Sequence, residues 1–150
     1  LNNNSLAINI SIENLSQELM PCTFGLHPYF KITDLQQIAI KGLSEKSINH
    51  LNMEITSTKS QLAKVAEGID ILSKSNGSIS LIDKQTGNRI EMQGKYPMDL
   101  AVVWTDPPRK MVCLEPWTSP RNALVTGDRK LEIKPEEYIE LLTTFKHDSF

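Results

Sequence analysis

The chain of 150 residues carries 16 basic and 18 acidic side chains, giving a net charge of −2, and 39% of its residues are hydrophobic. This size and composition predict one globular domain over residues 1–150 with a single core. Charges of both signs are scattered, so no nucleic-acid partner is expected, and the longest apolar stretch, residues 100–104, is too short to span a membrane. The sequence shows no leader resembling a signal peptide, and we expect a cytoplasmic protein.

Alternation of apolar and polar residues predicts β-strands along most of the chain. Residues 6–13 alternate strictly, with their isoleucines on one face, as in a half-buried strand. Residues 100–104 are apolar on both faces, which is typical of a strand inside a sandwich. Further strands are predicted over residues 37–43, 111–115 and 131–134, and a hairpin over residues 78–92.

Helical patterns are weak. Residues 60–67 could form two helical turns, and the segment after Pro135 is ambiguous. There Tyr138, Leu141 and Phe145 have helical spacing after a proline that could start a helix. The alternating Ile139, Leu141, Thr143 and Phe145 favour a strand equally well. The pattern leaves both structures open, and the whole chain reads as a mostly-β domain.

Residues 25–30 read Gly-Leu-His-Pro-Tyr-Phe. Because a residue before proline is pushed out of the helical region, His27 is predicted on a strand or at its end. Alternation then places Gly25, His27 and Tyr29 on one face, with Leu26 and Phe30 towards the core. This arrangement predicts a cleft in which His27 and Tyr29 lie beside the gap left by the glycine. A turn or packing role for the histidine is the alternative.

Two acidic residues stand next to apolar segments. Glu115 follows the apolar residues 111–114 and precedes a proline, which places it at a strand end. Its carboxylate is either solvated there or held in a partly dry site with a perturbed pKa. Asp70 lies between two isoleucines and either forms a turn or belongs to a site. Taken alone, each is more typical of a structural role than of a functional one.

The remaining reactive or aromatic side chains give weaker indications. Cys22 and Cys113 match neither a zinc motif nor a disulfide framework, and we expect them to be small buried apolar side chains. His50 lies in a polar stretch and is predicted to be solvated. Trp104 and Trp117 could stack on a sugar face, with packing in the core as the alternative.

Two motifs together resemble a known family. Residues 25–30 (GLHPYF) and residues 113–118 (CLEPWT) resemble, in order and separation, the paired signature of the aldose 1-epimerase family. They are most similar to the branch that acts on hexose 6-phosphates or unassigned sugars. The intervening segments agree, so the resemblance covers nearly the whole chain. These segments are residues 40–43, 68–70, 102–107 and 119–124.

The resemblance implies an all-β fold, an antiparallel β-sandwich of the galactose mutarotase-like supersandwich type, and therefore a strand at the C-terminus. It also implies an isomerase that interconverts the α and β anomers of an aldose or hexose 6-phosphate, with His27 as general acid and Glu115 as general base. The base takes the proton of the C1 hydroxyl while the acid protonates the ring oxygen, and the same pair closes the ring after rotation about C1–C2. Such chemistry needs no cofactor and no metal.

The same resemblance suggests where the sugar binds. An acidic residue in the position of Asp70 hydrogen-bonds a sugar hydroxyl in the family. We expect Tyr29 and Trp117, which stand two residues from the catalytic pair in sequence, to contact the sugar. Arg121 is the local basic candidate for a phosphate group. The expected partner is a monosaccharide or a sugar phosphate.

Family domains are roughly twice as long as this chain, and the resemblance covers only their C-terminal half. The other half normally supplies strands, a substrate-binding arginine and often a second histidine. Uncovered sheet edges predict a homo-oligomer or pairing with a missing N-terminal fragment. Near its C-terminus the family usually carries Pro-Gly-Glu, where this chain has Pro135, Glu136 and Glu137.

Two other functions remain open. The first is a non-catalytic carbohydrate-binding or interaction module, or an inactive fragment of a longer mutarotase. The second is glycoside hydrolysis by Glu115 and Asp70, which requires carboxyl groups about 5–10 Å apart. A structure in which His27 and Glu115 face one another across a cleft favours the isomerase, whereas their burial in the core contradicts it.

Overall fold

The computed structural model describes residues 4–149, and most of these residues form antiparallel β-structure. The strands are β1 (Ser5–Glu13), β2 (Met20–Cys22), β3 (Tyr29–Lys31), β4 (Ile38–Leu43), β5 (Lys46–Asn49), β6 (Ile55–Ser57), β7 (Asp70–Asp83), β8 (Asn88–Gly94), β9 (Leu100–Trp104), β10 (Met111–Trp117), β11 (Leu131–Ile133) and β12 (Tyr138–Ser149). Two short helices, α1 (Thr58–Leu62) and α2 (Ala123–Thr126), and a 3₁₀ turn at Leu35–Gln37 complete the elements. The predicted strands and the all-β fold class are confirmed.

One large sheet contains most of the strands, in the order β1-β12-β8-β7-β9-β10-β3. Strands β4 and β5 pair with β7, β6 pairs with β5, and β2 pairs with β11 in a separate ribbon. The long strand β7 changes partners along its length, because Asp70–Lys74 pairs with β9 and Ile79–Asp83 pairs with β8. Gly77, with φ 103°, lies between these two stretches. This exchange of partners lets the sheet curl, as in the galactose mutarotase-like fold.

The ambiguous C-terminal segment is a strand. β12 lies between β1 and β8, and its residues Leu141, Thr143 and Phe145 are buried on one face. The alternating pattern therefore prevails over the helical spacing, because two neighbouring strands satisfy the backbone hydrogen bonds of β12 on both sides. The strand expected from the family resemblance is confirmed.

The core lies between the curled parts of the sheet, and β9 contributes to two clusters. Ala101 and Val103 face the main cluster, whereas Leu100 and Val102 join a smaller cluster on the opposite face with Leu72. This confirms that residues 100–104 are apolar on both faces. The main cluster consists of Ile32, Leu35, Ile38, Ile69, Ile71, Ile79, Leu81, Met92, Ala101, Val103, Val112, Leu114 and Phe145.

The helix predicted over residues 60–67 is wrong in its extent. Helix α1 begins earlier, at Thr58, and ends at Leu62. Residues 63–67 form tight turns, in which Lys64 and Glu67 donate to carbonyls three residues back. The surroundings of the segment differ from those of a regular helix. The Gln61 amide bonds to Ser47 on β5 (2.9 Å), and Gly68, with φ 106°, has a backbone conformation that cannot continue a right-handed helix. Within residues 4–149, no helix is both long and apolar enough to cross a membrane.

Candidate functional site

The segment that contains His27 lies antiparallel to the C-terminal half of β10. Tyr29 pairs with Cys113 and Gly25 forms a bridge to Trp117, so the register places His27 opposite Glu115. Backbone bonds hold the segment on both sides of the histidine: Leu26 donates to the Pro116 carbonyl (3.1 Å) and Leu114 donates to the Pro28 carbonyl (3.3 Å). The prolines after His27 and Glu115 keep both residues extended, as the sequence predicts.

His27 and Glu115 form a close pair at the wall of a cavity. The Nε2 atom of His27 lies 3.3 Å from Oε1 of Glu115, with side-chain exposures of 65% and 2%. Both residues line a cavity of about 550 Å³, together with Trp117, Arg121 and the loop leading into α2. The His27 side chain is therefore mostly open to solvent, whereas the Glu115 side chain is almost completely buried. The pair faces a cleft and does not lie inside the apolar core.

Glu115 occupies the face of β10 that looks away from the main core, since Val112 and Leu114 fill that core on the other face. Burial raises the pKa of the Glu115 carboxyl above its ordinary value. The positive charge of His27 and a hydrogen bond from Trp117 act in the opposite direction on this pKa. The Trp117 indole Nε1–H donates to Oε2 of Glu115 at 3.1 Å. Each carboxylate oxygen thus has a defined neighbour.

Gly25 makes the position of the Trp117 indole possible. A Cβ atom on Gly25 would lie 2.7 Å from Cδ1 and 2.9 Å from Nε1 of Trp117. The gap predicted beside His27 is therefore filled by the indole that holds the carboxylate. The second tryptophan, Trp104, meets the His27 ring edge-on, with centroids 5.9 Å apart. Both indoles are half-buried, so they border the site and also contact the smaller core cluster.

Asp70 is held by two neighbours beside this cavity. Its Oδ1 lies 2.8 Å from Nδ1 of His50, and its Oδ2 accepts from the Arg121 guanidinium at 2.8 Å. Since a carboxylate only accepts, Nδ1 of His50 carries the proton. Burial lowers the pKa of His50, although Asp70 opposes this. A neutral histidine and a cationic arginine therefore fix the orientation of Asp70.

The prediction that His50 is solvated is wrong. His50 is 6% exposed, and its ring stacks on Trp117 with centroids 5.9 Å apart. The pairing of β5 with β7 continues past Asn49 and Ile71, so the His50 backbone donates to the Asp70 carbonyl (2.8 Å). The local sequence around His50 is polar and carries no signal of this contact. The pairing of β5 with β7 creates it.

The predicted site residues do not all gather in one place. Glu115, His27, Trp117 and Arg121 line the same cavity, and Asp70 bonds to Arg121 at its side. Tyr29 is 69% exposed and lies outside the lining of that cavity.

The two cysteines differ in environment. Cys113 is buried, as the sequence predicts, whereas Cys22 is only half-buried. Burial, followed by the charge of Glu115, raises the pKa of the Cys113 thiol to about 11. The thiol is therefore protonated at neutral pH. Cys113 and Glu115 share one face of β10 because they are two residues apart.

The sequence as a whole places this site in a family. The family model for aldose 1-epimerase matches residues 1–139. The chain belongs to the aldose 1-epimerase family. No curated protein sequence matches it.

Solved structures show the fold of this aldose 1-epimerase family member. The Slr1438 protein from Synechocystis sp. PCC 6803 is similar over 100% of this chain and 53% of its own, with 26% identity and a TM-score of 0.93. A galactose mutarotase-like protein from Clostridium acetobutylicum is 17% identical, covering 96% of this chain and 52% of its own, with a TM-score of 0.77. A galactose mutarotase related enzyme from Lactobacillus acidophilus is also 17% identical, covering 99% and 59%, with a TM-score of 0.73. The chain spans only about half the length of these proteins.

Proposed function

We propose that the protein is an isomerase that interconverts the anomers of an aldose or an aldose phosphate, with Glu115 as general base and His27 as general acid. The observation that carries this proposal is the facing pair, Nε2 of His27 and Oε1 of Glu115, 3.3 Å apart at the wall of one cavity. Opening a hemiacetal needs one group that takes a proton and one that gives a proton to an adjacent oxygen. A carboxylate beside an imidazolium provides both.

The geometry also implies how a sugar enters. The pair is too close to hold a sugar between its members, so one member has to move. Glu115 is held by its strand and by Trp117, whereas the His27 side chain is 65% exposed, so we expect the His27 ring to be the member that moves. A sugar that displaces the His27 ring places its C1 hydroxyl on Glu115 and its ring oxygen towards His27. When the ring closes, Glu115 and His27 exchange their roles as base and acid.

The neighbouring side chains support a sugar as the ligand. Trp117 presents a half-buried indole to the cavity, and sugar rings pack on such faces. Asp70, held between His50 and Arg121, is placed to accept from a hydroxyl group. Arg121 is the only arginine or lysine among the described residues that line the cavity, which makes it the candidate to bind a phosphate substituent. We propose Asp70, Trp117 and Arg121 as sugar-binding residues. Tyr29 is the weakest member of the set because it points to solvent outside the cavity.

Glycoside hydrolysis by Glu115 and Asp70 has less support. That reaction needs one carboxyl group that gives its proton to the leaving group and a second carboxylate with an oxygen free to attack C1 or to activate water. Both Asp70 oxygens are engaged, one by His50 and the other by Arg121. This arrangement favours a fixed carboxylate that accepts hydrogen bonds. The other alternative is a sugar-binding module without catalysis, and the exchange experiment below distinguishes it from the isomerase.

Since the chain spans about half the length of its solved relatives, we propose that the site is completed by further protein, either a second copy or an N-terminal segment. A cytoplasmic location fits hexose or hexose phosphate substrates and remains part of the proposal.

The decisive experiment is anomer exchange measured by NMR for glucose, galactose and glucose 6-phosphate. We expect the chain to accelerate exchange above the buffer rate, and Glu115→Gln to lower the acceleration by at least about a hundredfold, since general-base catalysis contributes 10²–10⁴. Glu140→Gln, an exposed glutamate on β12, is the matched control and should keep the wild-type rate.

The same samples separate the alternatives. Saturation-transfer contacts to a sugar without accelerated exchange would replace the isomerase with a binding module. If the chain shows no accelerated exchange and no sugar binding, that result contradicts a sugar site in this chain. Exchange that survives Glu115→Gln would show that another group is the base.

A further inference from the structure

Three side chains that commonly bind metals meet beside the proposed catalytic pair. The ligand atoms of His27, Cys113 and Glu115 all lie within 4.8 Å of one another. Neither of the sequence motifs indicates this cluster, since Cys113 and Glu115 come from β10 and His27 from the segment before β3. The register that sets His27 opposite Glu115 also sets Cys113 two residues further along β10, opposite Tyr29. The proposed isomerase chemistry makes no use of Cys113.

The spacing is close to that of a tetrahedral site. Zinc lies about 2.0–2.1 Å from imidazole nitrogen, about 2.0–2.2 Å from carboxylate oxygen and about 2.3 Å from sulfur, which places ligand atoms about 3.3–3.6 Å apart. The 3.3 Å between His27 Nε2 and Glu115 Oε1 already has this value. The sulfur atom of Cys113 lies within 4.8 Å of the others, so a movement of about 1 Å closes the triangle.

Burial and donor type indicate which ion fits. Cys113 and Glu115, exposed by 1% and 2%, form a fixed inner wall, and His27 closes the site on the solvent side. An ion reaches the wall from the cavity that His27 and Glu115 line, and its fourth position is left for water. One sulfur, one nitrogen and one oxygen suit Zn²⁺ or Cd²⁺, whereas Mg²⁺ and Ca²⁺ prefer oxygen alone.

We propose that His27, Cys113 and Glu115 form a binding site for a thiophilic divalent cation such as Zn²⁺, and that the bound ion inhibits the isomerase. On binding, Cys113 forms a metal–sulfur bond and its thiol proton leaves to solvent; where His27 is the imidazolium, its Nε2 proton also leaves to solvent. The ion also takes the His27 lone pair and a Glu115 oxygen, which are the groups that exchange protons with the sugar. The inhibition rests on the proposed function, whereas the binding of the ion does not.

Titration with Cd²⁺ tests the binding directly. A cadmium–thiolate bond gives an ultraviolet charge-transfer absorption, and we expect one such bond per chain. Cys113→Ser should abolish the absorption, and Cys22→Ser, at the half-buried cysteine on β2, should keep it. Release of at least one proton per Cd²⁺, followed with an indicator dye, is expected in the wild type. An absorption that persists in Cys113→Ser or disappears in Cys22→Ser overturns the site.

A second variant keeps the test valid if Cys113→Ser fails to fold. His27→Ala removes a mostly exposed side chain, so the fold should survive, and we expect it to weaken Cd²⁺ binding by at least about tenfold. His147→Ala, at the exposed histidine on β12, should leave the affinity unchanged. Equal affinity in wild type and His27→Ala would exclude the histidine as a ligand and overturn the proposal.

The inhibitory part has its own measurement. Zn²⁺ should lower anomer exchange in the wild type and in Cys22→Ser in proportion to site occupancy, and each rate is compared with the metal-free rate of the same variant. In Cys113→Ser, inhibition should require at least about tenfold more Zn²⁺. Occupancy of the site without loss of exchange would contradict inhibition. If the chain proves inactive, the Cd²⁺ absorption still decides whether the ion binds.

Discussion

The substitution Gly25→Ala tests whether the Trp117 indole positions the carboxylate of Glu115. The added methyl group would lie 2.7 Å from Cδ1 of Trp117, and ordinary contact begins at 3.4 Å, so the indole has to retreat by about 0.7 Å. The bond from Nε1 to Glu115 measures 3.1 Å. A retreat of about 0.7 Å takes it beyond hydrogen-bonding distance.

The expected loss of activity follows from this displacement. A hydrogen bond to a charged group contributes about 1.5–3 kcal/mol, and each 1.4 kcal/mol corresponds to a factor of ten. A misplacement of about 1 Å in a catalytic group has a similar cost, of the order of a hundredfold. We therefore expect Gly25→Ala to lower kcat/KM for anomer exchange by about 10- to 100-fold.

The pH profile gives a second readout in the same assay. The hydrogen bond from Trp117 lowers the pKa of Glu115, against the dominant effect of burial, which raises it. Losing the bond therefore raises the pKa of Glu115 further, and the base is ionised only at higher pH. We expect the acid limb of kcat/KM to shift to higher pH in Gly25→Ala, and tryptophan fluorescence to report the displaced indole.

Trp117→Phe provides the matching variant because it keeps a ring and removes the donor. It should shift the acid limb in the same direction, and the double variant should lose much less than the sum of the two single losses. A folded Gly25→Ala protein with wild-type kcat/KM and an unmoved acid limb would refute the reasoning. Additive losses would show that the two residues act independently.

Three further predictions concern buried charge and backbone strain. Glu115→Gln should raise the Tm at pH 7 while removing activity, because the raised pKa of Glu115 makes its ionised form costly to bury; the advantage should vanish below the ordinary value of 4.5, where the carboxyl is protonated in both folded and unfolded chains. His50→Phe keeps the stack on Trp117 and loses the bond to Asp70. The free energy of unfolding should therefore fall by about 1.5 kcal/mol, which lowers Tm by about 3–6 °C. Glu136→Gly should raise stability by about 1 kcal/mol, because Glu136 has φ 61°.

Thermal unfolding of each variant and one control checks these predictions. For Glu115→Gln, an advantage that grows as the pH falls would reverse the assigned sign. His147→Phe, at an exposed site, should leave Tm unchanged, and an equally small effect of His50→Phe would show that Arg121 alone holds Asp70. Glu137→Gly, at the next residue, should destabilise, so equal effects at 136 and 137 would contradict strain at Glu136.

The sequence by itself determined the fold class and the two catalytic candidates. Period-two alternation identified most strands, since the side-chain period of a strand is local and survives in any β-context. The prolines after His27 and Glu115 placed both residues in extended backbone, and the paired motifs indicated the family. The C-terminal strand was undecided by pattern, because residues 138–145 fit both periods.

Tertiary structure decided which distant residues meet. His50 and Asp70 lie twenty residues apart and touch only because β5 pairs with β7, and His27 reaches Cys113 and Glu115 only through the register beside β10. Helix α1 likewise contacts β5 through the bond of Gln61 to Ser47, which the local helical pattern does not indicate. Long-range pairing leaves no trace in local periodicity, and the network around Glu115 consists of such pairings.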